Sequence, residues 1–191
     1  MQPKVNQEHT GDRLLIAYHE AGHAVVACKL GITTTNITML PGDGTGAAVH
    51  GHNELVAKRD DRDPAALAQR LYANVMVAIA GAAAQSLAGY SGSIHDEAHA
   101  NDRKSALSYA APLARIEAGL PALPGPDEPQ VLERGDPLHT ASVNILARAL
   151  PETMALLNDN WQAVMHVADA LTKRDRLSKA VLDQIFANGQ R

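Results

Sequence analysis

The sequence predicts a mainly α-helical domain with a small β element, and three observations predict it. The chain is alanine-rich and poor in aromatics, which make up 3% of its 191 residues against an ordinary apolar fraction of 46%; that composition suits closely packed helices. Apolar residues recur at helical spacing over long stretches, and Asp63-Pro64 and Asp136-Pro137 have the form of helix starts, with Asp as cap and Pro in the first turn. One short run, ITTTNITML, is instead rich in β-branched residues and leads into the turn-forming PGDGTG. This length suits one domain that buries its own core. Residues 1–10 are expected as a flexible N-terminus and 11–191 as a single domain.

In chain order, Leu14, Leu15, Tyr18, Ala21, Val25 and Cys28 recur at helical spacing and predict an amphipathic helix over 11–30, stopped by Gly31. A strand over 32–40 follows, with GAAVHGHNEL as the returning strand of a hairpin beside that helix. Asp63-Pro64 opens a helix that runs to about Ala88 and ends before Gly89. Another covers Glu97 to Ala118, with a kink or break expected at Pro112. The Pro-rich, acidic stretch 119–137 reads as an exposed loop. From Asp136-Pro137 the chain continues as helices broken at Pro151 and near Lys173 to Arg176, with Ser178 capping a final helix.

Net charge is −4 and there is no basic stripe, so nucleic acid is not an expected partner. The single Cys28 has no partner for a disulfide, which fits a reducing compartment. The polar N-terminus has neither signal-peptide nor transit-peptide character, and the apolar stretch Val75 to Ala84 is short for a membrane span. A soluble, cytoplasmic protein with no membrane partner is therefore expected.

The chemistry-bearing motif is His19-Glu20-Ala21-Gly22-His23. On a helix, positions i and i+4 share a face, so both imidazoles can reach one ion about 2.0–2.1 Å from each nitrogen. Glu20, rotated about 100° from His19, stands beside such an ion without ligating it and can act as general base. Gly22 costs about 1 kcal/mol relative to alanine in a helix interior. With Ala21 and Ala24 it leaves the helix thin on one side, open to close approach by another element.

A catalytic zinc site usually has three protein ligands and an open position. Lys29 stands where a third histidine would follow in the metzincin pattern, so the third ligand must come from elsewhere. Along 95–110, read as one helix, Ala98, Asp102, Ala106, Tyr109 and Leu113 form a stripe on which Asp102 is the lone charge, and a lone buried carboxylate is costly unless paired or metal-bound. Arg103 and Lys104 point elsewhere. His99 is the rival ligand, or a partner that orients one; Glu97 is a weaker rival, and His95 can share the face of Asp102. His50 and His52 flank Gly51 on the returning strand but lack a third ligand. His9, His139 and His166 carry no usable signal.

AYHEAGHAVVA resembles the zinc motif in the peptidase domain of the FtsH-type ATP-dependent metalloproteases. ITTTNITMLPGDGTGAA is similar to the strand and turn after that motif, VAIAGAAAQSLAG to the small-residue helix, and NDRKSALSYA to the helix carrying the family's aspartate ligand. LLNDNWQAVMHVADALTKRDRLSKAVLDQIF is similar to the closing helices, so the resemblance covers about 12–188. It implies Zn²⁺ held by His19, His23 and Asp102, with Glu20 as base of a zinc metalloendopeptidase. It also implies a peptide or unfolded-protein substrate paired with the strand edge of 32–40. The chain has no GxxxxGK[ST] phosphate loop, so a stand-alone peptidase, or one served by a separate unfoldase, is expected. Where the family carries an arginine and a glutamate, this chain has Ala82, Gln85 and Ser86, which bears on the family's ring assembly; a homo-oligomer is a further expectation. The alternative is a non-catalytic zinc-binding or interaction module derived from a peptidase.

Overall fold

The computed structural model describes residues 7–39, 63–90, 96–124, 133 and 135–188. Among them are six helices and two three-residue strands: α1 (Gln7–Lys29), β1 (Asn36–Thr38), α2 (Pro64–Leu87), α3 (Asp96–Glu117), α4 (Pro137–Asp159), α5 (Trp161–Arg174), β2 (Arg176–Ser178) and α6 (Lys179–Asn188). The expected fold class, mainly α with a small β element, is the one observed.

Both Asp-Pro starts cap as expected. Asp63 accepts from the amides of Ala65 and Ala66 at 3.0 and 3.1 Å, and Asp136 from Leu138 at 2.7 Å. Gly31 ends α1 with φ +71 while the Ile32 amide bonds back to the Ala27 carbonyl at 2.8 Å, a left-handed C-cap that glycine adopts without a Cβ penalty.

Two helix breaks are not observed. α3 runs through Pro112 and α4 through Pro151. Each proline removes one backbone donor, but burial on either side (Tyr109 and Leu113, Ala149 and Thr153) holds the helix through the gap. The α4–α5 junction falls at Asn160 instead, whose amide bonds to the carbonyls of Leu157 and Asn158.

α1 is not amphipathic over its central turns. Apart from Tyr18, every residue from Ala17 to Ala27 is buried, because α2 packs on one side, α5 on another, and α4 and β1 also touch it. A helix buried all round belongs to a core. Here that core takes in His19, Glu20 and His23. α2 in turn packs against α1, α3 and α4; among the described residues it is the one helix long and apolar enough to cross a membrane by length and composition.

β1 pairs antiparallel with β2, with Asn36 opposite Ser178, Ile37 opposite Leu177 and Thr38 opposite Arg176. Ile37 and Leu177 are fully buried. The expected returning strand GAAVHGHNEL lies outside the described residues. Asp175, at φ 58, turns the chain from α5 into β2, and its carbonyl accepts the Met39 amide at 2.8 Å. Arg13 pairs with the Asp175 carboxylate and bonds to the Thr172 carbonyl at 2.9 Å, fixing the start of α1 to the end of α5.

Candidate metal centre

His19 and His23 project from one face of α1 toward α2 and α3, as their four-residue spacing dictates. Asp102 reaches in from α3. His19 Nε2 lies 3.0 Å and His23 Nε2 3.2 Å from Asp102 Oδ2, and the two Nε2 atoms are 3.1 Å apart. These edges approach the ligand–ligand separation of about 3.3 Å expected for a tetrahedral ion with bonds near 2.0–2.1 Å. Three carboxylate or imidazole atoms thus meet at one point, and His19, His23 and Asp102 form a group that can hold a metal ion.

The tautomers agree with that reading. His23 Nδ1–H donates to the Val77 carbonyl of α2 at 2.7 Å, so Nε2 faces the other two ligand atoms and is the nitrogen that carries the lone pair once the ring loses its second proton. A carbonyl that fixes the far nitrogen of a ligating histidine is the usual support of such a site.

The three polar residues of the motif are 5–6% exposed, and their protonation is far from ordinary. Burial pushes the Glu20 carboxyl up to about 7; the Asp102 charge adds to the rise and His23 opposes it. For His23 burial works downward, but the Asp102 hydrogen bond and charge, then Glu20 and the Val77 carbonyl, raise it to about 9. Burial lowers His19. Asp102 is held well below the usual carboxylate range: burial works upward, and the hydrogen bonds and charges of the two histidines outweigh it. Glu20 Oε2 is buried with no hydrogen-bond partner among the described residues. Such an atom in a folded core needs a reason, and packing alone supplies none.

His99 shares the Asp102 side of α3 but does not join the ligand atoms. Its ring stacks on His19 with centroids 5.6 Å apart, and its Nε2–H donates to Gln85 Oε1 at 2.6 Å. Of the two candidates for the third position, Asp102 is the one brought to both histidines. The rest of its stripe, Ala106, Tyr109 and Leu113, is buried, while Arg103 and Lys104 are exposed. His50, His52 and His95 lie outside the described residues, and nothing is described of the side chains of His9 and Glu97.

Three contributors on α2 escaped the sequence reading: the Val77 carbonyl, Gly81 and Gln85, four residues apart on one face. A Cβ at Gly81 would lie 2.6 Å from both His19 Cε1 and His23 Nε2, so only glycine leaves room for the rings. A Cβ at Gly22 would lie 2.5 Å from the Ala80 carbonyl oxygen, which is the close approach expected of the thin side of α1. The available signal was Gly81 and Gln85 at i and i+4, a gap and an amide in an alanine run.

A scan of the chain against protein-family models finds no match, and a search of curated proteins finds no similar sequence.

Proposed function

We propose that the chain is a zinc-dependent metallopeptidase whose ion is held by His19, His23 and Asp102. The carrying observation is the triangle of ligand atoms with 3.0–3.2 Å edges beside the buried, unpartnered oxygen of Glu20. Two imidazoles and one carboxylate form a donor set suited to zinc, and three protein ligands leave the fourth position that a catalytic site needs. The resemblance of AYHEAGHAVVA and NDRKSALSYA to the FtsH-type peptidase domain supports the same ligand set.

When bound, the ion supplies a Lewis acid and lowers the pKa of a water toward about 7. Glu20 takes a proton from the attacking water and returns it to the leaving amine nitrogen. Burial raises its carboxyl to about 7 before any ion is bound, which favours a carboxyl able to carry a proton near neutral pH. The Val77 carbonyl holds the His23 imidazole in orientation. The substrate in this reading is an extended peptide or unfolded segment pairing with the strand edge of residues 32–40, as the resemblance implies. Folded substrates would need a separate unfoldase.

The test is a quenched-peptide or casein assay with metal analysis on wild type and Glu20→Gln. Expected are bound zinc in both and a 10²- to 10⁴-fold loss of turnover in the variant, about what a general base contributes. Zinc in both with equal turnover, or none in either, overturns the peptidase reading and leaves a zinc-binding module.

A further inference from the structure

The geometry points to Gln85 and His99 as a positioning pair that sets the Asp102-bearing helix against the helix that carries the two histidines; this rests on the metal-centre reading above. Gln85 is 4% exposed, on α2, and spends both ends of its amide. Its Nε2 donates to the Leu15 carbonyl of α1 at 3.1 Å, and its Oε1 accepts from His99 Nε2–H of α3 at 2.6 Å. The orientation is not arbitrary. Turned over, the amide would set its oxygen against the Leu15 carbonyl oxygen, acceptor against acceptor, so Leu15 fixes which end faces His99 and thereby which His99 nitrogen carries the proton.

The two residues that Gln85 bonds each lie about one turn before a ligand. Leu15 lies four residues before His19, and His99 lies three before Asp102. The His99 ring then stacks on His19 at an interplanar angle of 23°. One amide thus joins α1 to α3 through α2, and its imidazole partner also bears on the face of a ligating ring. Neither side chain offers an atom to the ion: the His99 nitrogen nearest Gln85 is committed as a donor.

The experiment uses the full chain and two probes, Zn²⁺ by chelator competition and Co²⁺ by its visible d–d absorption. Gln85→Leu removes both hydrogen bonds. His99→Phe keeps an aromatic ring on His19 but removes the donor. Each is expected to weaken metal binding about 10- to 100-fold, the range for lost partners of ligands, and to change the cobalt band. The double variant should lose no more than the worse single variant, because both break one linkage. A merely structural pair would lower the melting temperature while leaving affinity within threefold and the cobalt spectrum unchanged; that result overturns the inference. If Gln85→Leu does not fold, His99→Phe decides alone by the same criteria. Wild-type protein that takes up neither ion sinks the metal centre itself and this inference with it, an outcome distinct from variants that bind as wild type does.

Discussion

Replacing Gly81 with alanine should empty the metal centre while leaving the fold standing. The new Cβ would lie 2.6 Å from His19 Cε1, 2.6 Å from His23 Nε2 and 2.7 Å from His19 Nδ1. Comfortable contacts of this kind begin near 3.5 Å, so each ring must retreat by about 0.9 Å. Neither has a free retreat. His23 is tied to Val77, and α1 is already pressed on α2 where Gly22 faces Ala80. Metal–ligand distances tolerate about 0.2 Å, so the required shift is several times what coordination allows. Stability moves much less. Alanine gains about 1 kcal/mol over glycine in a helix, while overpacking costs about 1–3 kcal/mol, a net loss of about 0–2 kcal/mol. The expected result is zinc affinity down by at least about 100-fold, equivalent to about 2.7 kcal/mol, with circular dichroism unchanged and the melting temperature of the apo protein within a few degrees. Chelator competition and thermal unfolding measure both. A Gly81→Ala protein that keeps zinc within threefold of wild type refutes the packing argument.

Other substitutions separate neighbouring roles. Asp102→Ala should cost more than 100-fold in zinc retention and His99→Ala less; the reverse order in a dialysis experiment would make His99 the ligand. Metal uptake should be coupled to protons. In the apo protein His23 is raised to about 9, so at pH 7 it is charged and must lose its proton to ligate; affinity therefore rises with pH up to about 9. Calorimetry in buffers of different ionisation enthalpy should show about one proton released per ion at pH 7, and release of none contradicts the assignment. The His23–Asp102 pair gives the apo fold stability that is fully present below the ordinary histidine pKa of about 6.5 and lost as pH climbs through about 9, so apo melting temperatures should fall over that window. Ile37→Ala, which empties the buried centre of β1, should destabilise the protein by about 2–5 kcal/mol in denaturant unfolding while leaving zinc stoichiometry at one.

The parts of the site legible in the sequence are those set by local periodicity. His19 and His23 face one way because they are four apart on a helix. Asp102 stood out because a carboxylate interrupts a stripe of Ala106, Tyr109 and Leu113, a pattern that needs no knowledge of what lies opposite. Caps at Asp63 and Asp136 and the stop at Gly31 are equally local. What stayed hidden depends on contacts between distant segments. β2 is three residues in what reads as a gap between helices, and its partner is about 140 positions earlier. Choosing between Asp102 and His99 required knowing that α2 presents Gln85 to one of them. The amphipathic reading of α1 failed because a core of alanines and valines has no polar face to mark, and Pro112 and Pro151 failed to break helices that tertiary packing holds.

The pairing of residues 36–38 with 176–178 also fixes an order of assembly. A chain is made from its N-terminus and its earlier parts condense first, so the last of the candidate ligands, Asp102, is joined to the chain about 75 residues before β2 is. The strand along which a peptide is proposed to lie gains its described neighbour only after all three candidate ligands have been made. On the proposed reading, the ligand set would therefore be complete before the strand beside it is paired, and the pairing of residues 36–38 with 176–178 would be the later step in finishing the site.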